Sequence, residues 1–183
     1  MLYDKIYLGC GGMFDIDNII EYCFIKTIEE GLPCNIHERT FVSRMAHHLA
    51  DIIENDNIIE KECSKIKVDV EYNRNVNDTK RINKKLRFVD LIIHERKTNN
   101  NNISASEFKN KKDSNLDKNN LINLKNCLGY KYIYFIIITK RIIYKYNENT
   151  KNWEIIFNHQ FNNINVSDEN INSMLKLNSD KYE

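Results

Sequence analysis

At 183 residues, with 42% hydrophobic and 29% charged side chains, the chain has the length and composition of one soluble globular domain able to bury a proper core. Its formal net charge of +1 names no class of partner, and the single Pro and five Gly leave no Pro/Gly-rich linker that would mark a domain boundary. The five cysteines, Cys10, Cys23, Cys34, Cys63 and Cys127, are odd in number and form no C-x-x-C pair. The pattern argues against a disulfide framework, and a reducing, cytoplasmic setting is expected. Cys34 and His37 have a metal-like spacing but no second pair to complete a zinc site. No signal peptide is read. The longest apolar run, YIYFIIIT at 132–139, is too short to span a bilayer, so no membrane partner is expected.

In chain order, DIDNIIEYCFIKTIEE (15–30) predicts a helix capped by Asp15 or Asp17 and stopped by Gly31-Leu32-Pro33. HERTFVSRMAHHLADIIEN (37–55) predicts a second helix, with Phe41, Val42, Met45, Leu49, Ile52 and Ile53 at helical spacing and Glu38 and Arg39 in its first turn. IKVDVEYN (66–73) alternates as a strand, and basic, Asn-rich loops follow. LRFVDLIIHER (86–96) and NISASEFK (102–109) predict two strands around the polar tip KTNNN. A helix over 114–130 ends near Gly129 and leads into the apolar strand 131–139, which suits the interior of a sheet. RIIYKYN and WEIIFN read as short strands, and a last helix starts at Ser167. The order α, β, β, β, α, β, with additions at both ends, predicts an α/β (α+β) domain whose sheet is covered on both faces.

Charge is distributed unevenly. Residues 1–73 carry a net −7 and residues 74–112 a net +7. The basic middle segment contains Arg74, Lys80, Arg81, Lys84, Lys85, Arg87, Lys111 and Lys112 and is a candidate phosphate-binding surface.

If the turn of the 86–109 hairpin is centred on Thr98-Asn99, paired positions sum to 197 and Asp90 falls opposite Glu107. Side chains alternate along a strand, so Glu107 and Lys109 share that face and Phe108 points to the other. Two opposed carboxylates and a lysine then converge. The carboxylates repel one another unless a cation lies between them, and hard divalent ions favour such oxygen ligands. A nearby ammonium can orient an attacking water or offset developing charge. Hydrolysis of a phosphodiester uses all of these parts.

This pattern resembles the PD-(D/E)XK nuclease superfamily, with its restriction-endonuclease-like αβββαβ core and mixed central sheet. The matching parts are Glu38 in HERTF, Asp90 in FVDLIIHE and Glu107/Lys109 in SEFKN, followed by the helix and the strand KYIYFIIIT. They span about residues 37–139, with a helical extension at 1–36 and added strands and a helix at 140–183. The resemblance implies a nuclease acting on nucleic acid, DNA in the first instance, with Asp90, Glu107, the Phe108 carbonyl and Glu38 holding Mg²⁺ or Mn²⁺. It implies Lys109 as the residue that positions the water, Glu71 as an acidic alternative, and a homodimer resembling the two halves of a dimeric cutter. Arg74, Lys84, Lys85, Arg87, Lys111 and Lys112 would hold the nucleic-acid backbone. Val89 stands where the superfamily commonly has Pro. No Gln-x-x-x-Tyr follows the Glu-x-Lys strand, which disfavours the RecB-like and lambda-exonuclease-like branches. Two other readings stay open. One is a cap-snatching RNA endonuclease, which adds a histidine ligand from His37, His47 or His48. The other is a catalytically silent module that binds nucleic acid or a protein. His94 shares the Asp90 face if the register holds, where it is read as a polar strand residue with bordering the site as the alternative. Trp153 with Tyr130, Tyr132 and Tyr134 is expected to pack on or near the sheet.

Overall fold

The computed structural model describes residues 15–30, 37–55, 65–72 and 89–158, and two-residue backbone pairings at Ile6–Tyr7 with Met13–Phe14, Arg74–Asn75 with Asp78–Thr79, and Arg81–Ile82 with Lys85–Leu86. The helix expected from Ser167 lies outside these residues. Helix α1 (Ile16–Glu29) starts where the Asp15 carboxylate accepts the N–H groups of Asp17 and Asn18. Helix α2 (Glu38–Ala50) has His37 at its N-cap without a side-chain cap. It passes into a π-helical turn at Asp51–Asn55 rather than staying α-helical to residue 55. That turn delivers Glu54 to the next strand, where its carboxylate accepts the Val68 N–H at 2.8 Å and the Lys67 ammonium at 3.0 Å.

The strands are β1 (Ile66–Tyr72), β2 (Val89–Glu95), β3 (Asn102–Lys109), β4 (Tyr132–Ile137), β5 (Ile142–Asn147) and β6 (Asn152–Asn158), with helix α3 (Asn115–Leu128) between β3 and β4. They form one six-stranded mixed sheet in the order β6-β5-β4-β3-β2-β1. All neighbours are antiparallel except β3 and β4, which α3 joins as a parallel crossover. β1 is an edge strand, so the Glu54 contact satisfies a backbone donor that no further strand takes. β2 is described over Val89–Glu95, while Leu86, expected at its start, pairs with Arg81 in a two-residue ladder. The loops expected around 74–85 likewise contain these short ladders.

Helices lie on both faces. Against α1 and α2 the sheet presents Leu91, Ile93, Phe108, Tyr134 and Ile136. Against α3 it presents Ile92, Ala105, Ile133, Phe135 and Ile137, which meet Leu121 and Leu124. This explains why β4 is apolar at successive positions: each of its faces is inside a core. Tyr130 and Tyr134 are buried and Trp153 packs against the α3-side core, as expected. Among the described residues no helix is long and apolar enough to cross a membrane.

α3 is bounded locally. Ser114 Oγ accepts the Asp117 N–H, and Gly129 ends the helix at φ +72°, its N–H donating to Lys125 O at 2.8 Å. A Cβ at Gly129 would meet nothing within 4 Å, so the cost of Gly129→Ala is conformational alone. It should destabilise the protein by about 1 kcal/mol in urea unfolding. A loss several times larger would point to a packing role that the open space does not support.

Candidate functional site

The hairpin register is the expected one where it bears on the site. Leu91 faces Ser106, Ile92 faces Ala105 and Ile93 faces Ser104, all on the sum of 197. Beyond Leu91↔Ser106 the ladder stops, and Asp90 takes over: its Oδ2 accepts the Phe108 N–H at 2.8 Å. Two residues on, Glu38 Oε2 from the first turn of α2 accepts the Asn110 N–H at 3.2 Å. The other side of β3 stays attached, since Ile138 and Thr139 donate their N–H groups to Lys109 O and Asn110 O. β3 thus follows β4 and parts from β2, and two carboxylates fill the gap with charge-assisted hydrogen bonds. In an antiparallel ladder a residue's carbonyl faces the same neighbour as its N–H, so the Phe108 carbonyl faces this gap while its ring is buried beside Phe41.

Lys109 is the cation of the cluster. Its Nζ lies 2.9 Å from Glu107 Oε1, 3.5 Å from Asp117 Oδ2 and 3.9 Å from Glu38 Oε1. Burial, then the neighbouring charge of Asp90, push Glu107 up to about 7 even with Lys109 beside it. Burial also raises Asp90, although the Phe108 N–H opposes this, and it raises Glu38. Burial would lower Lys109, but the Glu107 hydrogen bond and the surrounding carboxylates outweigh it and hold the ammonium charged.

Beside Asp90 a cavity of about 170 Å³ opens between α2 and the edge strand β1, lined by Glu38, Arg39, Val42, Ser43, Val70, Glu71 and Asp90. Glu71 is at φ +47°, a strained conformation for a non-glycine residue, and pairs with Arg39 Nε at 2.6 Å. Oxygen donors of the type that hard cations take are therefore gathered here. They are not preassembled: among the described residues no group of three or more His, Cys, Asp or Glu side chains is disposed to hold a metal ion. Asp90 and Glu38 are turned onto backbone N–H groups and Glu107 onto Lys109.

Glu38, Asp90, Glu107 and Lys109 are thus brought together, and Glu71 lines the adjoining cavity. Lys111 and Lys112 follow β3 as exposed residues, while the side chains of Arg74, Lys84, Lys85 and Arg87 lie outside the described residues. His94 does not border the site. It lies four residues along β2 from Asp90, about 13 Å away, and its Nε2 is 2.9 Å from Asp69 Oδ2 on the neighbouring edge strand. His47 and His48 belong to the last turn of α2, about 14 Å along the axis from Glu38, and face Asp51 and Glu30. Asp117 and Arg39 were not foreseen as site residues. The signal for Asp117 was its place three residues after the Ser114 cap, on the first turn of the helix that follows Glu-x-Lys. No family model matches the chain, nor does any curated protein or solved structure.

Proposed function

We propose that this chain is a metal-dependent nuclease built on a restriction-endonuclease-like core, acting on DNA as an endonuclease. The observation that carries the reading is the gap between β2 and β3, where Asp90 takes the Phe108 N–H beside the Glu107–Lys109 pair, and burial raises both half-buried carboxylates above their ordinary range. Such a pair is relieved by a cation, and the donors that fit are Asp90, Glu107, the Phe108 carbonyl and Glu38. When bound, Mg²⁺ or Mn²⁺ supplies charge neutralisation at the phosphate and acidifies water. Lys109, kept charged by its carboxylate neighbours, orients the attacking water and offsets negative charge as it grows on the phosphoryl oxygens. Water adds to phosphorus, the P–O bond to the leaving sugar breaks, and the proton lost by the water is matched by one gained by the leaving oxygen. Arg74, Lys84, Lys85, Arg87, Lys111 and Lys112 would hold neighbouring phosphates.

One observation favours a second reading, a silent nucleic-acid- or protein-binding module: each carboxylate of the cluster already has a partner within the chain. A calorimetric titration separates the two. Mn²⁺ and Mg²⁺ are titrated into the wild type and Glu107→Ala, and the same samples are incubated with supercoiled plasmid, single-stranded DNA and RNA. Binding and cleavage that vanish together in the variant are expected. A folded wild type that binds neither ion would leave the binding module as the better account.

A further inference from the structure

Outside the carboxylate cluster, Lys118 stands one residue beyond Asp117 and is only 8% exposed. Its Nζ lies 4.2 Å from the ring centroid of Tyr144, 5.1 Å from that of Phe135 and 5.9 Å from that of Trp153. It also donates to Asp113 Oδ2 at 2.8 Å. A desolvated ammonium is stable only when other charge or π-electron density replaces its water, and here three rings and one carboxylate do so. The rings come from three strands, β4, β5 and β6, and pack on one another, with Phe135 at 6.4 Å from both Tyr144 and Trp153. Phe135 is also the direct cross-strand neighbour of Glu107. The first turn of α3 therefore straddles two points of one sheet row, Lys118 over the aromatic cage and Asp117 against Lys109.

We propose that Lys118 is a positioning residue: gripped by Phe135, Tyr144 and Trp153, it fixes the first turn of α3 so that Asp117 holds Lys109 beside Glu107. This rests on the hydrolytic reading of the Glu107–Lys109 cluster. It gives the β5–β6 hairpin, which lies outside the αβββαβ core, a part in the site. Lys118 touches neither Lys109 nor any proposed metal ligand through a described contact, so its influence runs through the helix backbone. Two amides report that backbone, because the Asp117 N–H bonds to Ser114 Oγ at 3.3 Å and the Lys118 N–H to Ser114 O at 3.0 Å.

The test compares wild type with Lys118→Met, Lys118→Arg and Tyr144→Leu, all as full-length chains. Amide hydrogen exchange is read at residues 117 and 118, and plasmid cleavage is followed with Mn²⁺. In Lys118→Met and Tyr144→Leu, exchange at the two amides should rise about tenfold while Leu121 and Leu124 keep their protection. Turnover should fall about tenfold with KM unchanged, and Lys118→Arg, which keeps a cation in the cage, should restore both. If Lys118→Met does not fold, Tyr144→Leu carries the same comparison. Unchanged exchange in the folded variants overturns the proposal whatever the plasmid shows, as does faster exchange with wild-type turnover or a loss expressed in KM. A wild type that cuts no plasmid while its exchange depends on Lys118 refutes the hydrolytic reading. It removes the catalytic part of the proposal with it and leaves the clamp on α3 standing.

Discussion

Asp90→Asn is expected to lose both divalent-metal binding and cleavage, whereas Lys109→Met loses cleavage alone. An asparagine at position 90 still offers an oxygen to the Phe108 N–H, so the hairpin end should keep its shape. What it lacks is the negative charge that a hard cation seeks, and turnover should fall by at least about 10³-fold. Lys109 acts differently, since its ammonium competes with any cation for the Glu107 carboxylate at 2.9 Å. Removing it leaves Glu38, Glu107 and Asp117 without their shared counter-ion. Mn²⁺ should bind Lys109→Met at least as tightly as wild type while cleavage falls by about 10²- to 10³-fold. Calorimetry and plasmid cleavage on the two variants check this. Weakened Mn²⁺ binding in Lys109→Met, or cleavage by Asp90→Asn at the wild-type rate, would show that the roles are assigned wrongly.

The second large effect lies away from the site. Glu21 on α1 is pushed up to about 7, first by burial and then by the charges of Asp17 and Asp15. Its carboxyl titrates near 4.5 when exposed. Between those values the folded chain binds more protons at this residue than the unfolded chain, so stability falls as pH rises through the window and levels off above it. Glu21→Gln should unfold in urea with wild-type stability near pH 4 and be more stable near pH 8, by at most about 3 kcal/mol. Glu107 contributes a slope of the same sign over the same window, so the variant retains part of the pH dependence. Asp69 acts in the opposite direction: burial would raise it, but hydrogen bonds from Arg96 and His94 hold it well below the usual carboxylate range. Its contribution is present above its ordinary value of 3.8 and fades in acid as pH falls toward its lowered folded value. Equal stabilities of Glu21→Gln and wild type at pH 8 would mean that Glu21 is solvated in the folded state.

The sequence by itself determined the order of the elements and one half of the candidate site. Helices α1, α2 and α3 were legible because apolar side chains recur at helical spacing, and Asp15 bounds α1 while Ser114 and Gly129 bound α3. The meeting of Asp90 with Glu107 and Lys109 followed from a turn assumed at Thr98-Asn99, because a short hairpin with a polar tip ties the pairing of its two strands to the place of the turn. Tertiary structure decided the other half. Glu38 reaches the Asn110 N–H across 72 positions of sequence, and Asp117 and Lys118 acquire partners only when α3 lies on the sheet beside β3 and β4. The placement of β1 at the edge, the strained Glu71 and its ion pair with Arg39 depend on how α2 packs against that edge. The His94–Asp69 contact was hidden because it depends on β1 pairing with β2, which joins segments some 25 positions apart. The shift after Ile93 was hidden because a bulge leaves little trace in a polar–apolar pattern. Hydrogen bonds and side-chain periodicity act over a few residues and are written into short stretches of sequence. The contacts that complete the site join segments tens of residues apart, and their geometry exists only once both cores have closed.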